Sequence, residues 1–146
     1  MKRILGIVLT ALIAATLSPA PAANAAPAIR FSRVYFDSPG NDTGSNWSLN
    51  HEWARVHNYS SRARTLTGWT IRDTSGHVYR FPTFTLRAGY SVTLHTGRGT
   101  NTRTNLYWDA DNYVWNNDGD KAILKNRAGT RIDTCSWTGA GSYKNC

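Results

Sequence analysis

The sequence predicts an all-β domain, arranged as an antiparallel sandwich. Three observations predict it. The 146 residues hold one Glu, Glu52, no Gln, and a single Met at position 1, so several strong helix formers are nearly absent. Thr, Tyr, Trp and Gly are plentiful, which favours pleated strands and tight turns. Beyond residue 25, short β-branched and aromatic runs recur between turn signals, and no stretch carries a 3.6-residue apolar period. The length suits one domain.

Residues 1–25 read as a secretory leader. Lys2 and Arg3 give a positive start, Ile4 to Leu17 is an apolar run of 14 residues, and Ala23-Asn24-Ala25 is an A-x-A-like cleavage site. A membrane span needs about 20 apolar residues, so a retained anchor helix is the weaker reading. The cleavage site has no Cys beside it, which argues against a lipoprotein. The expected mature domain, 26–146, is secreted and has no second apolar run. It carries 15 Lys+Arg, 12 of them Arg, against 9 Asp+Glu, a net charge of +6.

The strands then follow in order. Residues 28–36 (AIRFSRVYF) are aromatic and β-branched, and 38–46 (SPGNDTGSN) is a turn-rich loop. Residues 51–59 (HEWARVHNY) alternate, with Ala54 and Val56 on one face and Trp53, Arg55 and His57 on the other. Residues 68–73 (GWTIRD) and 77–82 (HVYRFP) flank the turn Asp73-Thr74-Ser75-Gly76. In 90–97 (YSVTLHTG), Val92 and Leu94 face inward. Residues 106–108 (LYW) and 113–115 (YVW) read as strands. The turn Asn117-Asp118-Gly119 leads into 120–125 (DKAILK), and Ala128-Gly129 turns into 130–137 (TRIDTCSW). Cys135 and Cys146 match no zinc or redox spacing. A disulfide between them would tie the end of the sequence to the last strand and add about 3 kcal/mol of stability.

The order of these motifs resembles the lamin tail domain, an immunoglobulin-like β-sandwich. The matching pieces are 51–58 (HEWARVHN), 66–73 (LTGWTIRD), 77–82 (HVYRFP), 85–100 (TLRAGYSVTLHTGRGT), 106–108 (LYW) and 114–126 (VWNNDGDKAILKN). They span residues 29–137 in family order. In lamins this fold forms the globular tail of a filament protein. The heptad rod is missing here, so the resemblance implies a small secreted module and not a filament. Glu52 matches the family's strand-start glutamate.

The residues themselves lean toward structural roles. Trp69, alternating with Ile71, is expected in the core, with a ligand platform as the other reading. Glu52 shares the parity of Ala54 and Val56. Such a carboxylate must find donors, backbone N–H groups or an Arg, or else serve a ligand. Asn116 to Gly119 suit a hairpin. Asp109, Asp111, Asp118 and Asp120 lie within 12 residues and are weak calcium candidates, but Lys121 and Arg127 break the EF-hand pattern. The other reading of them is solvated loop acids.

Catalysis has little support. His51-Glu52 begins like HExxH, but Arg55 stands at the second His position. A small secreted metal-assisted hydrolase using loop Asp and His side chains (His51, His57, His77, His95) is the alternative function, and no cofactor is expected. A binding role has more behind it. Trp47, Trp53, Trp108, Trp137, Tyr59, Tyr113 and Tyr143 lack a clear core parity. Arg62 and Arg64 flank one loop, Arg98 and Arg103 another. Guanidinium forks suit phosphates and aromatic rings stack on bases or sugars. Arg62, Arg64, Arg98, Arg103, Trp53 and Trp108 are therefore the candidate ligand residues. The partner would be extracellular nucleic acid, an anionic cell-wall polymer or a protein. A basic surface serving solubility is the competing reading.

Overall fold

The computed structural model describes residues 25–146. The leader reading, Ala25 excepted, lies outside them. Two sheets face each other. The first holds β1 (Ile29–Tyr35), β2 (Trp53–Asn58), β7 (Ser91–His95), β8 (Asn105–Tyr107) and β11 (Tyr143–Asn145), in the order β11-β1-β2-β7-β8. The second holds β4 (Thr70–Arg72), β5 (Val78–Arg80), β9 (Asp120–Lys125) and β10 (Arg131–Trp137), in the order β10-β9-β4-β5. A two-stranded ribbon, β3 (Arg64–Thr65) with β6 (Thr85–Leu86), sits at one end. The chain is thus an immunoglobulin-like β-sandwich.

The alternation read in 51–59 holds. Ala54 and Val56 are buried, while Trp53, Arg55 and His57 lie half-buried on the outer face. Val92 and Leu94 face inward from β7 as expected. Two of the three expected hairpins form where the turn residues predicted them; Asn116 to Gly119 makes a turn but no hairpin, because no strand precedes it. Gly76, between β4 and β5, and Gly129, between β9 and β10, have φ of +109° and +84°, which side-chain-bearing residues rarely adopt.

Four expectations are corrected. The loop at 38–46 runs into a single helical turn, α1 (Asn46–Asn50), capped by the Ser45 hydroxyl on the Ser48 N–H. Five residues are too few to leave an apolar period in the sequence. Residues 113–115 form no strand, because their backbone is held by a side chain instead of a ladder. The β7–β8 pair is parallel, since the long 96–104 connection carries the chain back to the end where β7 begins. Trp69 is only half-buried at the rim, while Ile71 is buried.

An aromatic chain fills the core along its length. Phe36 stacks on Trp137 at 4.9 Å, and Trp115, Trp108, Tyr79, Phe81 and Phe84 follow with ring centroids 5.4–6.0 Å apart. Trp108 and Trp137, which showed no clear core parity in the sequence, belong to this chain. Trp137 also donates its indole N–H to the Asn116 carbonyl at 2.8 Å.

The expected Cys135–Cys146 disulfide forms, and because Cys146 follows β11, a strand the sequence did not reveal, the bond joins the two sheets. Cys135 lies in β10 and Cys146 follows β11, which pairs with β1 across the sandwich edge. Replacing the outer partner, Cys146→Ser, is expected to lower unfolding stability by about 3 kcal/mol in urea titration. Amide exchange in β11 should rise before that in β1. A midpoint unmoved by the substitution would mean that the hydrogen bonds to β1 hold β11 unaided.

A charge-polarised sandwich

Strand register sorts the charged residues into two ends. At one end lie the start of β1, the end of β2, and the starts of β7 and β8. The start of β4, the ends of β5 and β9 and the start of β10 share it. A shallow depression lined by Ile29, Arg64, Trp69 and Ile132 confirms that both sheets meet there. This end carries Arg30, Arg62, Arg64, Arg80, Arg87, Arg103, Lys125, Arg127 and Arg131, nine of the 15 cations of the expected mature domain. The other end carries Asp37, Asp42, Glu52, Asp73, Asp109, Asp111, Asp118 and Asp120, eight of the nine acids, with Arg72, Arg98 and Lys121 among them. The ninth, Asp133, accepts the Phe31 N–H at 2.8 Å and bridges the sheets.

The candidate arginines divide accordingly. Arg62, Arg64 and Arg103 are exposed at the basic end. Buried Asn58 organises this end: its side-chain amide donates to the carbonyls of Arg62, Leu86 and Arg87 at 2.8–3.2 Å. Arg98 follows β7 to the acidic end and pairs there with Asp111. It is separated from Arg103, with which the sequence had grouped it. Arg87 and Tyr90 were missed. Their signal was positional, since both precede the start of β7 and so fall at the basic end.

Trp53 lies on the outer face of the five-stranded sheet. Tyr143, Tyr35, Trp53, His95 and Tyr107 are cross-strand neighbours in one row. Arg33 covers the Tyr143 ring and Arg55 the Trp53 ring, each 4.6 Å from the centroid. Tyr35 stacks between Trp53 and Tyr143 at 5.6 and 5.9 Å. These ring faces are occupied by neighbours, so the row knits the sheet. Trp108, by contrast, faces the core.

Among the described residues the acids and histidines are engaged separately. Asp120 is buried and accepts from Thr74, Asn116 and the Lys121 N–H. Asp109, Asp111 and Asp118 are exposed, with Arg98 on Asp111. Among the described residues no three His, Cys, Asp or Glu side chains come close enough to share a metal ion. The four calcium candidates therefore do different work. His77 closes its own turn on Asp73, whose carboxylate also accepts the Gly76 and His77 N–H groups. His57 meets the Ser91 hydroxyl at 2.8 Å, and among the described residues no carboxylate is bonded to its imidazole. His51 bonds to the Trp47 carbonyl and His95 to the Asn50 carbonyl. Burial pushes the Tyr79 phenol up to about 12, with the Asp109 charge adding to it.

Glu52 is the strongly perturbed carboxylate. It is fully buried, and one oxygen accepts from the Thr96 hydroxyl at 2.7 Å and the N–H groups of Val114 and Trp115 at 2.8 and 3.2 Å. The donors are backbone amides and a hydroxyl, with no Arg. Burial raises its pKa to about 7 against those hydrogen bonds, which lower it. The folded state thus holds this proton more tightly than the unfolded chain. Stability contributed by Glu52 is highest below its ordinary value of 4.5 and drains away as pH rises toward 7. Glu52→Gln should flatten that decline, on the order of 3 kcal/mol, in urea titrations at pH 5 and 8. Glu52→Ala, which strands three buried donors, should destabilise at both pH values. A wild-type pH slope that survives in Glu52→Gln would assign it to another group.

Comparison with known proteins agrees with this architecture. The family model described as Lamin Tail Domain matches residues 22–139, most of the chain. A search of curated proteins finds no match. The family consists of non-enzymatic immunoglobulin-like domains. The expected resemblance is therefore correct, and the chain belongs to the lamin tail domain family.

Proposed function

We propose that this chain is a secreted, non-catalytic binding module whose basic end grips a phosphodiester polyanion outside the cell. One observation carries the reading. Nine cations gather at one end of the sandwich and eight of the nine acids at the other. Scattered charge would serve solubility equally well; segregated charge makes a field with direction, which steers and holds a polyanion. The leader-like residues 1–25 and the disulfide support export, since disulfides persist in oxidising compartments. Nucleic acid and the phosphodiester polymers of cell walls share the required chemistry.

The test is a fluorescence titration of the domain with mixed-sequence duplex DNA, single-stranded DNA and poly(glycerol phosphate) over a salt series. Binding to at least one polymer should weaken linearly with log salt, because each neutralised phosphate releases counterions. The double reversal Arg62→Glu/Arg64→Glu should weaken binding about tenfold or more and shallow the salt slope. Arg98→Glu, at the acidic end, should leave it unchanged. Absence of binding to all three polymers at low salt would overturn the reading.

A further inference from the structure

Within the basic end lies a groove that the charge argument alone does not explain. Two adjoining depressions, of about 490 and 130 Å³, share Thr85, Arg87 and Arg103 and form one continuous trough. One wall is the segment 82–87, the other is the loop 101–104. Phe84, Leu86 and Leu106 give it an apolar floor, and exposed Tyr90 stands at one side. The lining holds no Asp or Glu.

Each wall contributes one arginine from a fixed backbone. Arg87 lies in a turn whose carbonyl accepts from both the buried Asn58 amide and the Tyr90 N–H. Arg103 tops a loop that bonds to itself: the Thr102 hydroxyl accepts the Thr104 and Asn105 N–H groups, and Asn101 accepts the Tyr107 N–H. Neither guanidinium forms an ion pair with a described carboxylate. Two like charges held on facing walls repel, and an anion between them relieves that repulsion with charge-assisted hydrogen bonds.

Resting on the polyanion reading, we infer that this trough seats one nucleotide of a single-stranded nucleic acid. The phosphate lies between Arg87 and Arg103. The base or sugar lies against Tyr90 and the apolar floor, where ring stacking and burial add to the charge term. A duplex, with its bases already stacked and paired, has no ring to offer such a trough. Poly(glycerol phosphate) has the charge and no ring.

The experiment compares oligothymidylate, a duplex of equal phosphate number and poly(glycerol phosphate) on the intact protein. The variants are Arg87→Ala, Arg103→Ala and Tyr90→Ala, with thermal melts to verify folding. The expected order of affinity is oligothymidylate first, with each arginine substitution weakening it about tenfold. Each should also shallow its salt slope by about 0.7. Tyr90→Ala should weaken oligothymidylate while leaving duplex and poly(glycerol phosphate) binding unchanged. Equal affinity for all three polymers, insensitive to Arg87, Arg103 and Tyr90 but lost in Arg62→Glu/Arg64→Glu, would overturn the trough and leave the polyanion reading intact. No binding to any polymer would overturn both.

Discussion

The architecture depends on one buried carboxylate. Backbone amides that leave a ladder inside a protein must be paired elsewhere, and an unpaired one costs more than its hydrogen bond returns. Residues 113–115 are such a segment, with Val114 and Trp115 buried and outside any strand. Glu52 takes both N–H groups and the Thr96 hydroxyl on a single oxygen, and its own backbone carbonyl accepts the Thr96 N–H. Three parts of the chain distant in sequence therefore converge on one side chain. That convergence places Trp115 between Trp108 and Trp137 in the aromatic chain of the core.

The parts of the fold legible in the sequence are those set by near neighbours. The two-residue period of β2 follows from Ala54 and Val56, and the turns at Gly76 and Gly129 from local backbone chemistry. The parts that were not legible depend on distant partners. Residues 113–115 have the composition of a strand, and only Glu52, 62 residues away from Val114, makes them something else. Trp108 and Trp137 showed no core parity because they pack ring against ring at strand ends, Trp108 just after β8 and Trp137 as the last residue of β10. β11 escaped notice because its three residues, 143–145, carry no apolar alternation and pair with a strand more than a hundred positions earlier.

The site was legible only as composition. An excess of Arg was plain, and its placement was not. Spacing grouped Arg98 with Arg103, while the chain between them crosses from one end of the sandwich to the other. Arg87 and Tyr90 drew no attention as single residues. Their meaning comes from register, which sets them beside Arg103 across a trough whose floor is Leu106. Charge polarity of this kind is a property of topology: each strand that runs the length of the sheet carries its flanking residues to opposite ends.

The segregation of charge also bears on crowding. A domain with cations at one end and carboxylates at the other experiences a torque near a charged surface and turns its basic end toward a negative one. Copies arriving side by side then share an orientation, each presenting Asp109, Asp111 and Asp118 outward.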